Sequence, residues 1–231
     1  TSKEAYVLSL PSVEREEYLL ALRVLLYGYK YDHYTRDPSR DVIVMTTPHV
    51  PVEVEDQLRA DGAIIFRHDL IPSITDPFDI NSDHICRHCY NKLLVWNMIQ
   101  YERVLLADSD FLMVRSLEGI WDEPESQAET GLAARSVLHS DPGTDYLDSS
   151  FVIARPNRTM FEELLLVQGS PGPMQDIGQS LLDKYFRKDG PHPWSALDEK
   201  LHEKCWMDSG DWALTSLWSM KVGKMLGHQL A

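Results

Sequence analysis

The chain of 231 residues carries 22 basic and 36 acidic residues, a formal net charge of −14 at pH 7. A protein that binds nucleic acid needs a basic surface to neutralise phosphates, so we expect no nucleic-acid partner. The length and the ordinary composition, 43% hydrophobic and 25% charged, fit one globular domain over residues 1–231. No apolar run reaches the roughly 20 residues that span a bilayer, so we expect no membrane segment.

The three cysteines, Cys86, Cys89 and Cys205, cannot form a fully paired disulfide framework, which favours a reducing compartment. The first residues also lack the charged-then-apolar layout of a signal peptide. We therefore expect a cytoplasmic protein, with the Golgi lumen as the alternative if the sequence is a piece of a longer chain. A zinc site at Cys86 and Cys89 is disfavoured, because structural zinc usually needs two separated ligand pairs.

Strand-like and helix-like segments alternate in the first part of the chain, which is typical of an α/β domain with a mostly parallel sheet. Apolar runs bounded by turn residues predict strands over 5–10, 41–46 and 63–66. Helical spacing of apolar residues predicts helices over 14–29 and 52–61, the second ended by Gly62. Residues 69–89 show no period and predict a long loop of the kind that often carries function.

The second part of the chain continues the α/β pattern. We expect strands over 103–107, 131–135 and 150–154. We expect helices over 90–101, 155–167, 176–186 and 212–225. The central sheet is therefore predicted to be flanked by helices.

Asp108 and Asp110 directly follow the strand over 103–107 and are separated by the small Ser109. Ligands of open α/β sheets bind outside the carboxyl ends of the strands, where two such carboxylates can face one cation. Oxygen ligands suit Mn²⁺ or Mg²⁺, which keep positions open for substrate phosphates. Two alternatives to a metal site stay open. The two aspartates can belong to an ordinary turn, or the protein can be a phosphohydrolase in which Asp108 is the nucleophile.

Three segments together resemble the helix, strand and metal motif of the glycogenin-like retaining glycosyltransferases, known as family 8. They are residues 91–96 (NKLLVW), 101–110 (YERVLLADSD) and 117–121 (LEGIW). The resemblance runs from about residue 5 to residue 206. It implies a GT-A fold, which is Rossmann-like, a UDP-sugar donor, Mn²⁺ as cofactor, and transfer of the sugar to an acceptor hydroxyl with retained configuration.

The resemblance also implies roles for residues of the first half. Asp108 and Asp110 would bind the metal, with Ser109 between them at the donor. Lys92 would hold the sugar and phosphates of the donor. Backbone groups of Leu8, Ser9 and Leu10 would contact the base, and Tyr18 would stack near the uracil. For Tyr18 a place in the helix core is an equal alternative, because it also fits the apolar period.

The segment over 148–153 (DSSFVI) resembles the family's "asn-ser-gly-val-phe-val" strand, with Asp148 in place of Asn and Ser150 in place of Gly. Asp148 is therefore expected near the donor sugar, where a carboxylate accepts strongly from hydroxyl donors. Ser149 keeps the family's serine and is expected beside the donor.

A later segment resembles the family's "asp-gln-gly-leu-leu-asn" sequence, with Gly178 at the position of the family's aspartate. Gln179 keeps its place, and Asp176 lies two residues before the expected position. We expect Asp176 and Gln179 at the catalytic centre. A shift of two residues turns a side chain about 200° around a helix, which puts the role of Asp176 in question.

The segment over 201–206 (LHEKCW) resembles a contracted form of the family's terminal histidine, lysine and tryptophan. His202 would be the third metal ligand, and Lys204 would reach the diphosphate. The expected partners are a nucleotide-sugar donor and an unidentified acceptor, and a homodimer stays open. The two departures at Ser150 and Gly178 leave a second function open, that of a catalytically inactive nucleotide-sugar-binding protein.

Overall fold

The computed structural model describes residues 3–71, 85–109, 111–113, 115–138, 145–167, 177–197 and 218–219. Its strands are β1 (Glu4–Leu10), β2 (Asp41–Thr46), β3 (Ile64–Arg67), β4 (Arg103–Ala107), β5 (Phe111–Leu112), β6 (Leu132–Leu138), β7 (Asp145–Ala154), β8 (Ser195–Ala196) and β9 (Trp218–Ser219). Its α-helices are α1 (Glu16–Lys30), α2 (Val52–Ala60), α3 (Arg158–Val167) and α4 (Ile177–Tyr185). Three 3₁₀ helices cover Ile85–Asn97, Glu118–Asp122 and Glu125–Gln127.

Seven strands form one sheet in the order β3-β2-β1-β4-β7-β6-β8. β1 pairs in parallel with β2 and with β4, β2 pairs in parallel with β3, and β6 pairs in parallel with β8. β7 is antiparallel to both of its neighbours, β4 and β6. The 3-2-1-4 half is the Rossmann arrangement, in which ligands bind at the carboxyl ends of the strands. The predicted mostly parallel α/β sheet is confirmed.

The central strands are apolar on both faces because helices cover both sides of the sheet. On one face Tyr6 and Leu8 pack with α1 and α2, and on the other face Ala5 and Val7 pack with the 3₁₀ helix Ile85–Asn97, α3 and α4. All four of these side chains are fully buried. This two-sided burial positions the end of β1 rigidly beside the end of β4.

The helix predicted over 90–101 is a 3₁₀ helix that begins earlier, at Ile85, and ends at Asn97. Tyr90, Leu93 and Trp96 are three residues apart and all buried, as three residues per turn requires. The predicted loop is therefore wrong over 85–89, while residues 72–84 lie outside the described part of the chain.

The predicted tail helix over 212–225 is wrong at Trp218–Ser219, which instead form β9 and pair in parallel with β5. The backbone groups of these two residues serve a strand ladder rather than a helix. The other residues of that prediction lie outside the described part of the chain. No helix in the described ranges is long and apolar enough to cross a membrane.

Candidate functional site

The ends of β1 and β4 meet at one edge of the sheet, beside residues 148–150 in the middle of β7. Leu8 pairs with Ala107 at the end of β4, and Ala107 pairs with Phe151 of the antiparallel β7. One residue further, the amide of Asp108 donates a hydrogen bond of 2.9 Å to the carbonyl of Ser150. The sheet register therefore places Asp108 and Ser109 beside residues 148–150, although some 40 residues separate them in sequence.

Lys92 reaches this edge from the 3₁₀ helix Ile85–Asn97. Its ammonium group lies 2.8 Å from Oδ1 of Asp108 and 3.0 Å from Oδ2. The same group donates a hydrogen bond of 3.4 Å to the carbonyl of Ser149. The Lys92 side chain is 17% exposed and that of Asp108 31%, so the pair opens to solvent on the carboxylate side. Lys92 thus contacts both Asp108, which the sequence assigns to the metal, and Ser149, which it assigns to the donor.

Asp148 lies in the same cluster and is held by its own strand. Its Oδ1 accepts a hydrogen bond of 3.0 Å from the amide of Ser150 and a second one from the Ser150 hydroxyl. Its Oδ2 lies 3.8 Å from Nε of Arg135. Asp148 is only 6% exposed. The carboxylate is therefore held by hydrogen bonds within β7, lies close to the guanidinium of Arg135, and is next to the backbone that Lys92 contacts.

Arg135 is a residue of this cluster that the sequence does not predict. The register between β6 and β7 shifts between Ala134 and Ser136, so Arg135 sits at an irregularity of β6. Bulges of this kind re-aim a side chain and are frequent beside functional sites. Nothing in the alternation of residues 132–138 marks the shift, because register is decided by the partner strand.

Leu8, Ser9 and Leu10 lie at the same edge, at the end of β1. The pairing of β1 with β4 stops at Leu8, whereas its pairing with β2 continues to Leu10. The side chains of Leu8 and Leu10 are buried in the core. Leu8 and Leu10 can therefore contact a ligand only through their backbone, which is the role that the resemblance implies for all three residues. The side chain of Ser9 is half-buried.

Tyr18 lies in the first turn of α1, just after the end of β1. It is half-buried and is not among the buried residues of either core cluster in the described structure. The guanidinium of Arg15 lies 5.8 Å from the centre of its ring. This placement weakens the alternative of a core tyrosine and leaves the ring open to stacking.

Proteins of similar sequence are glycosyltransferases where their function is named. The chain is 26% identical to an uncharacterised protein of Schizosaccharomyces pombe, over 82% of the chain and 65% of that protein. It is 24% identical to glycogenin-1 of Oryctolagus cuniculus, over 71% of the chain and 45% of glycogenin-1. It is 23% identical to galactinol synthase 5 of Arabidopsis thaliana, over 63% of the chain and 51% of that enzyme. No protein-family model matches the chain.

The chain is a homologue of the family 8 glycosyltransferases. The resemblance to glycogenin-like enzymes is thereby confirmed. The chain spans between 45% and 65% of the length of these three relatives.

Solved structures of glycosyltransferases share the fold of this family 8 homologue. GlyE of Streptococcus pneumoniae superimposes with a TM-score of 0.59 and 16% identity, over 87% of this chain and 46% of GlyE. The galactosyltransferase LgtC superimposes with a TM-score of 0.57 and 16% identity, over 86% of this chain and 74% of LgtC. The expected GT-A fold is therefore confirmed.

Several residues predicted for the site of this homologue lie outside the described part of the chain: Asp110, Asp176, His202 and Lys204. Gln179 lies in α4, but its side chain is outside the described part as well. Within the described ranges no group of three or more histidine, cysteine, aspartate or glutamate side chains is placed to hold a metal ion. The expected metal-ligand set stays a prediction, and Asp108 is the member that the structure describes.

The described residues fit a divalent cation with an anionic substrate. Asp108 offers hard carboxylate oxygens at the open edge of the sheet, and such oxygens are the ligands that Mn²⁺ and Mg²⁺ prefer. The neighbouring Lys92 adds a positive charge that a diphosphate would meet. A carboxylate and a lysine side by side can bind a metal cation and a diphosphate together, and they suit this pair better than the cation alone or the diphosphate alone.

A cleft of about 350 Å³ lies elsewhere, at the opposite end of β7. Its lining includes Gly131, Arg155, Asn157 and His192, none of which the sequence assigns to the donor site. The region around Asp108 and Ser150 is the better candidate, because it gathers charged side chains at the carboxyl edge of the Rossmann half.

Proposed function

We propose that the chain is a retaining glycosyltransferase that moves a sugar from a UDP-linked donor to an acceptor hydroxyl with the help of Mn²⁺ or Mg²⁺. The observation that carries the proposal is the contact of Lys92 with both Asp108 and Ser149 at the carboxyl edge of β4. The relatives support it, since they include galactinol synthase and an inositol phosphorylceramide glucuronosyltransferase. LgtC, which shares the fold, has been crystallised with donor and acceptor sugar analogs.

Asp108, together with Asp110 and His202, would hold the cation. When bound, the cation would neutralise the charge that develops on the diphosphate as the bond to the sugar breaks. Asp108 is prepared for this role, because its backbone is tied to β7 through Ser150 and its side chain is oriented by Lys92.

Lys92 would bind the diphosphate of the donor, assisted by Lys204. The Lys92 side chain is mostly buried, so its charge is screened less than that of a surface lysine. The Asp108 carboxylate already restricts its rotamers, which lowers the entropy lost when the substrate binds. Lys92, held in position in this way, would therefore increase the affinity for the diphosphate, which is the leaving group.

Asp148 and Ser149 would line the sugar subsite, with Asp176 and Gln179 completing it. Asp148 is held in one orientation by Ser150 and Arg135, and its carboxyl oxygens have acceptor sites left for a sugar hydroxyl. The bond from the acceptor oxygen to the anomeric carbon would form on the face from which the phosphate leaves. The acceptor proton would pass to the departing phosphate oxygen, which preserves the configuration.

The base of the donor would lie at the end of β1. The backbone of Leu8, Ser9 and Leu10 would contact its edge, and Tyr18 would stack against its face, an arrangement that aromatic rings favour. Ser109, which is 9% exposed, would line the floor between the base and the metal.

A donor screen tests the proposal. Release of UDP is measured with Mn²⁺ for UDP-glucose, UDP-galactose and UDP-N-acetylglucosamine, and the anomeric configuration of the product is read by NMR. We expect turnover of at least one donor with retention, and loss of at least a hundredfold in Asp108→Asn. Asp189→Asn is the matched control, because Asp189 is 73% exposed and pairs only with Arg187 in the described structure. Full turnover in Asp108→Asn would remove this carboxylate from the mechanism.

Two other outcomes point to other functions. Binding of UDP by calorimetry without turnover of any donor would indicate a nucleotide-sugar-binding protein that has lost catalysis. Release of phosphate from simple phosphomonoesters without a sugar nucleotide would indicate a phosphohydrolase.

A cytoplasmic location is part of the same proposal and rests on the cysteine count. Asn157, Arg158 and Thr159 form a sequon for N-glycosylation, and all three residues are exposed. The chain expressed in its own cells is expected to carry no glycan at Asn157. A glycan there, detected by mass spectrometry, would place the protein in the secretory pathway.

A further inference from the structure

The outer face of α1 carries a row of exposed apolar side chains. Its inner residues Leu22, Leu25, Leu26 and Tyr29 are buried in the core. Every exposed residue between positions 18 and 31 is also apolar or aromatic. These residues are Leu20, Val24, Tyr27 and Tyr31, which are 66%, 48%, 58% and 52% exposed, and they form what we call the α1 stripe.

The spacing of the α1 stripe is that of a helix-packing seam. Its residues are four, three and four positions apart, which places them one above another on one side of the helix. A row of apolar side chains on a helix normally packs against a partner, whereas within the described part of the chain α1 is covered only on its inner side. The stripe is thus a surface that needs a partner.

The α1 stripe is also where exposed apolar residues concentrate. Nine large hydrophobic residues are exposed in the described part of the chain, and five of them lie between Leu20 and Tyr34. The others are single residues on separate elements, namely Val52, Ile64, Ile99 and Leu166. Scattered exposed residues are normal, but a contiguous patch marks an interaction site.

We propose that the α1 stripe is the interface at which two copies of this chain associate, with their α1 helices packed antiparallel. The stripe and Tyr34 present on the order of 500 Å² of side-chain surface, given that a fully covered aromatic buries about 150–250 Å². Two copies would then bury about 1,000 Å², the lower bound of a specific interface. The interface does not depend on the proposed function.

The charges at the two ends of α1 favour an antiparallel second copy. The exposed Glu16 and Glu17 lie in the first turn, and Lys30 lies in the last turn. An antiparallel pair sets the acidic end of each helix near the basic end of the other, and it also opposes the two helix dipoles. Arg23, the remaining cation of the helix, is turned to Asp61 at 2.6 Å, which leaves the stripe itself uncharged.

Sedimentation velocity over a dilution series tests the interface. The purified chain is expected to sediment with twice its monomer mass at concentrations of tens of micromolar or above. The double variant Val24→Glu with Tyr27→Glu places charges in the middle of the stripe. It should weaken dimerisation at least about a hundredfold, because unpaired charges would be buried, and its circular dichroism should be unchanged. Leu166→Glu, at the 83% exposed position of α3, is the matched control and should remain dimeric.

A charge exchange tests the antiparallel geometry. Lys30→Glu should weaken the dimer, and the addition of Glu17→Lys should restore it. Failure of restoration would overturn the antiparallel arrangement. A monomeric chain, or a dimer that persists in the double variant, would overturn the interface itself. Binding of the monomer to phosphatidylcholine vesicles, lost in the double variant, would overturn it in favour of a lipid surface.

Discussion

The ammonium group of Lys92 lies between the carboxylate of Asp108, at 2.8 and 3.0 Å from its two oxygens, and the carbonyl of Ser149, at 3.4 Å. The contact joins a helix to the end of β4 and to the middle of β7, two strands that run in opposite directions. Asp108 thus keeps Lys92 at the place where a diphosphate would bind, and Lys92 compensates a carboxylate that is two-thirds buried.

Replacement of Lys92 by alanine should weaken UDP binding by about tenfold or more, since a hydrogen bond to a charged group contributes about 1.5–3 kcal/mol. Isothermal titration calorimetry with UDP and Mn²⁺ measures the change. Lys3→Ala is the matched control, because Lys3 forms an exposed ion pair with Glu102. Equal affinity of the two variants for UDP would contradict a role of Lys92 at the diphosphate.

Tyr6 links two buried polar groups under the sheet. Its hydroxyl donates a hydrogen bond of 2.7 Å to Asp37 and accepts one of 3.1 Å from the indole nitrogen of Trp121. Tyr6→Phe removes the hydroxyl and with it both hydrogen bonds. It should lower the free energy of unfolding by about 1–3 kcal/mol, measured by urea denaturation. Tyr34→Phe, at a position 77% exposed, should change it by less than about 0.5 kcal/mol. A similar effect of the two variants would refute the assigned bonds.

Asp37 should make the fold sensitive to acid. Burial alone would raise the pKa of this carboxyl, but hydrogen bonds from Ser39, Tyr6 and Arg40 outweigh burial and hold the pKa below its ordinary value. The pKa of Asp37 is therefore lower in the folded chain than in the unfolded chain, where it is about 4. Such a carboxyl stabilises the fold at pH values above the unfolded pKa. This stabilisation is lost as the pH falls through the folded pKa.

The difference in unfolding free energy between the native chain and Asp37→Asn should therefore shrink as the pH falls from about 6 to about 3. Urea denaturation at several pH values measures it. Asp56→Asn serves as the control, because the Asp56 side chain is 67% exposed. A difference that stays constant over this range would show that Asp37 contributes nothing to the acid dependence.

Gly131 precedes β6 with a φ of +108°, and an added Cβ would lie 2.6 Å from Cε of Met160 and overlap its sulfur. Gly131→Ala should therefore lower the free energy of unfolding by about 2–3 kcal/mol, from overpacking and a left-handed backbone. Gly119→Ala is the control, since a Cβ there would meet nothing within 4 Å. Thermal unfolding of the two variants checks this. Equal midpoint temperatures would mean that the Met160 side chain moves away without a measurable loss of stability.

Asn157 caps α3, because its Oδ1 accepts a hydrogen bond of 3.1 Å from the amide of Met160. Asn157→Ala should lower the free energy of unfolding by about 1 kcal/mol, whereas Asn157→Asp should keep the cap and gain from the helix dipole. Chemical denaturation of the two variants checks the order. If aspartate were as destabilising as alanine, the cap would be unimportant for stability.

The predicted strands over 41–46 and 103–107 coincide with β2 and β4. A short apolar run between turn residues favours a buried strand by its local pattern alone. The helix over 155–167 was predicted three residues too early. It begins at Arg158, since the proline at position 156 and the capping Asn157 precede it. Boundaries are thus decided by hydrogen bonds at the helix end rather than by the apolar period.

The sequence by itself determined the α/β class, the carboxylate that follows β4, and the family that this combination resembles, because period and spacing are local properties of the chain. Only the tertiary structure decided that Lys92, Asp108 and Ser149 meet, that Arg135 turns toward Asp148, and that the α1 stripe is exposed in the described part of the chain. The contacts of Lys92 span 16 and 57 positions. Contacts over such separations depend on strand order and register, which no local pattern encodes.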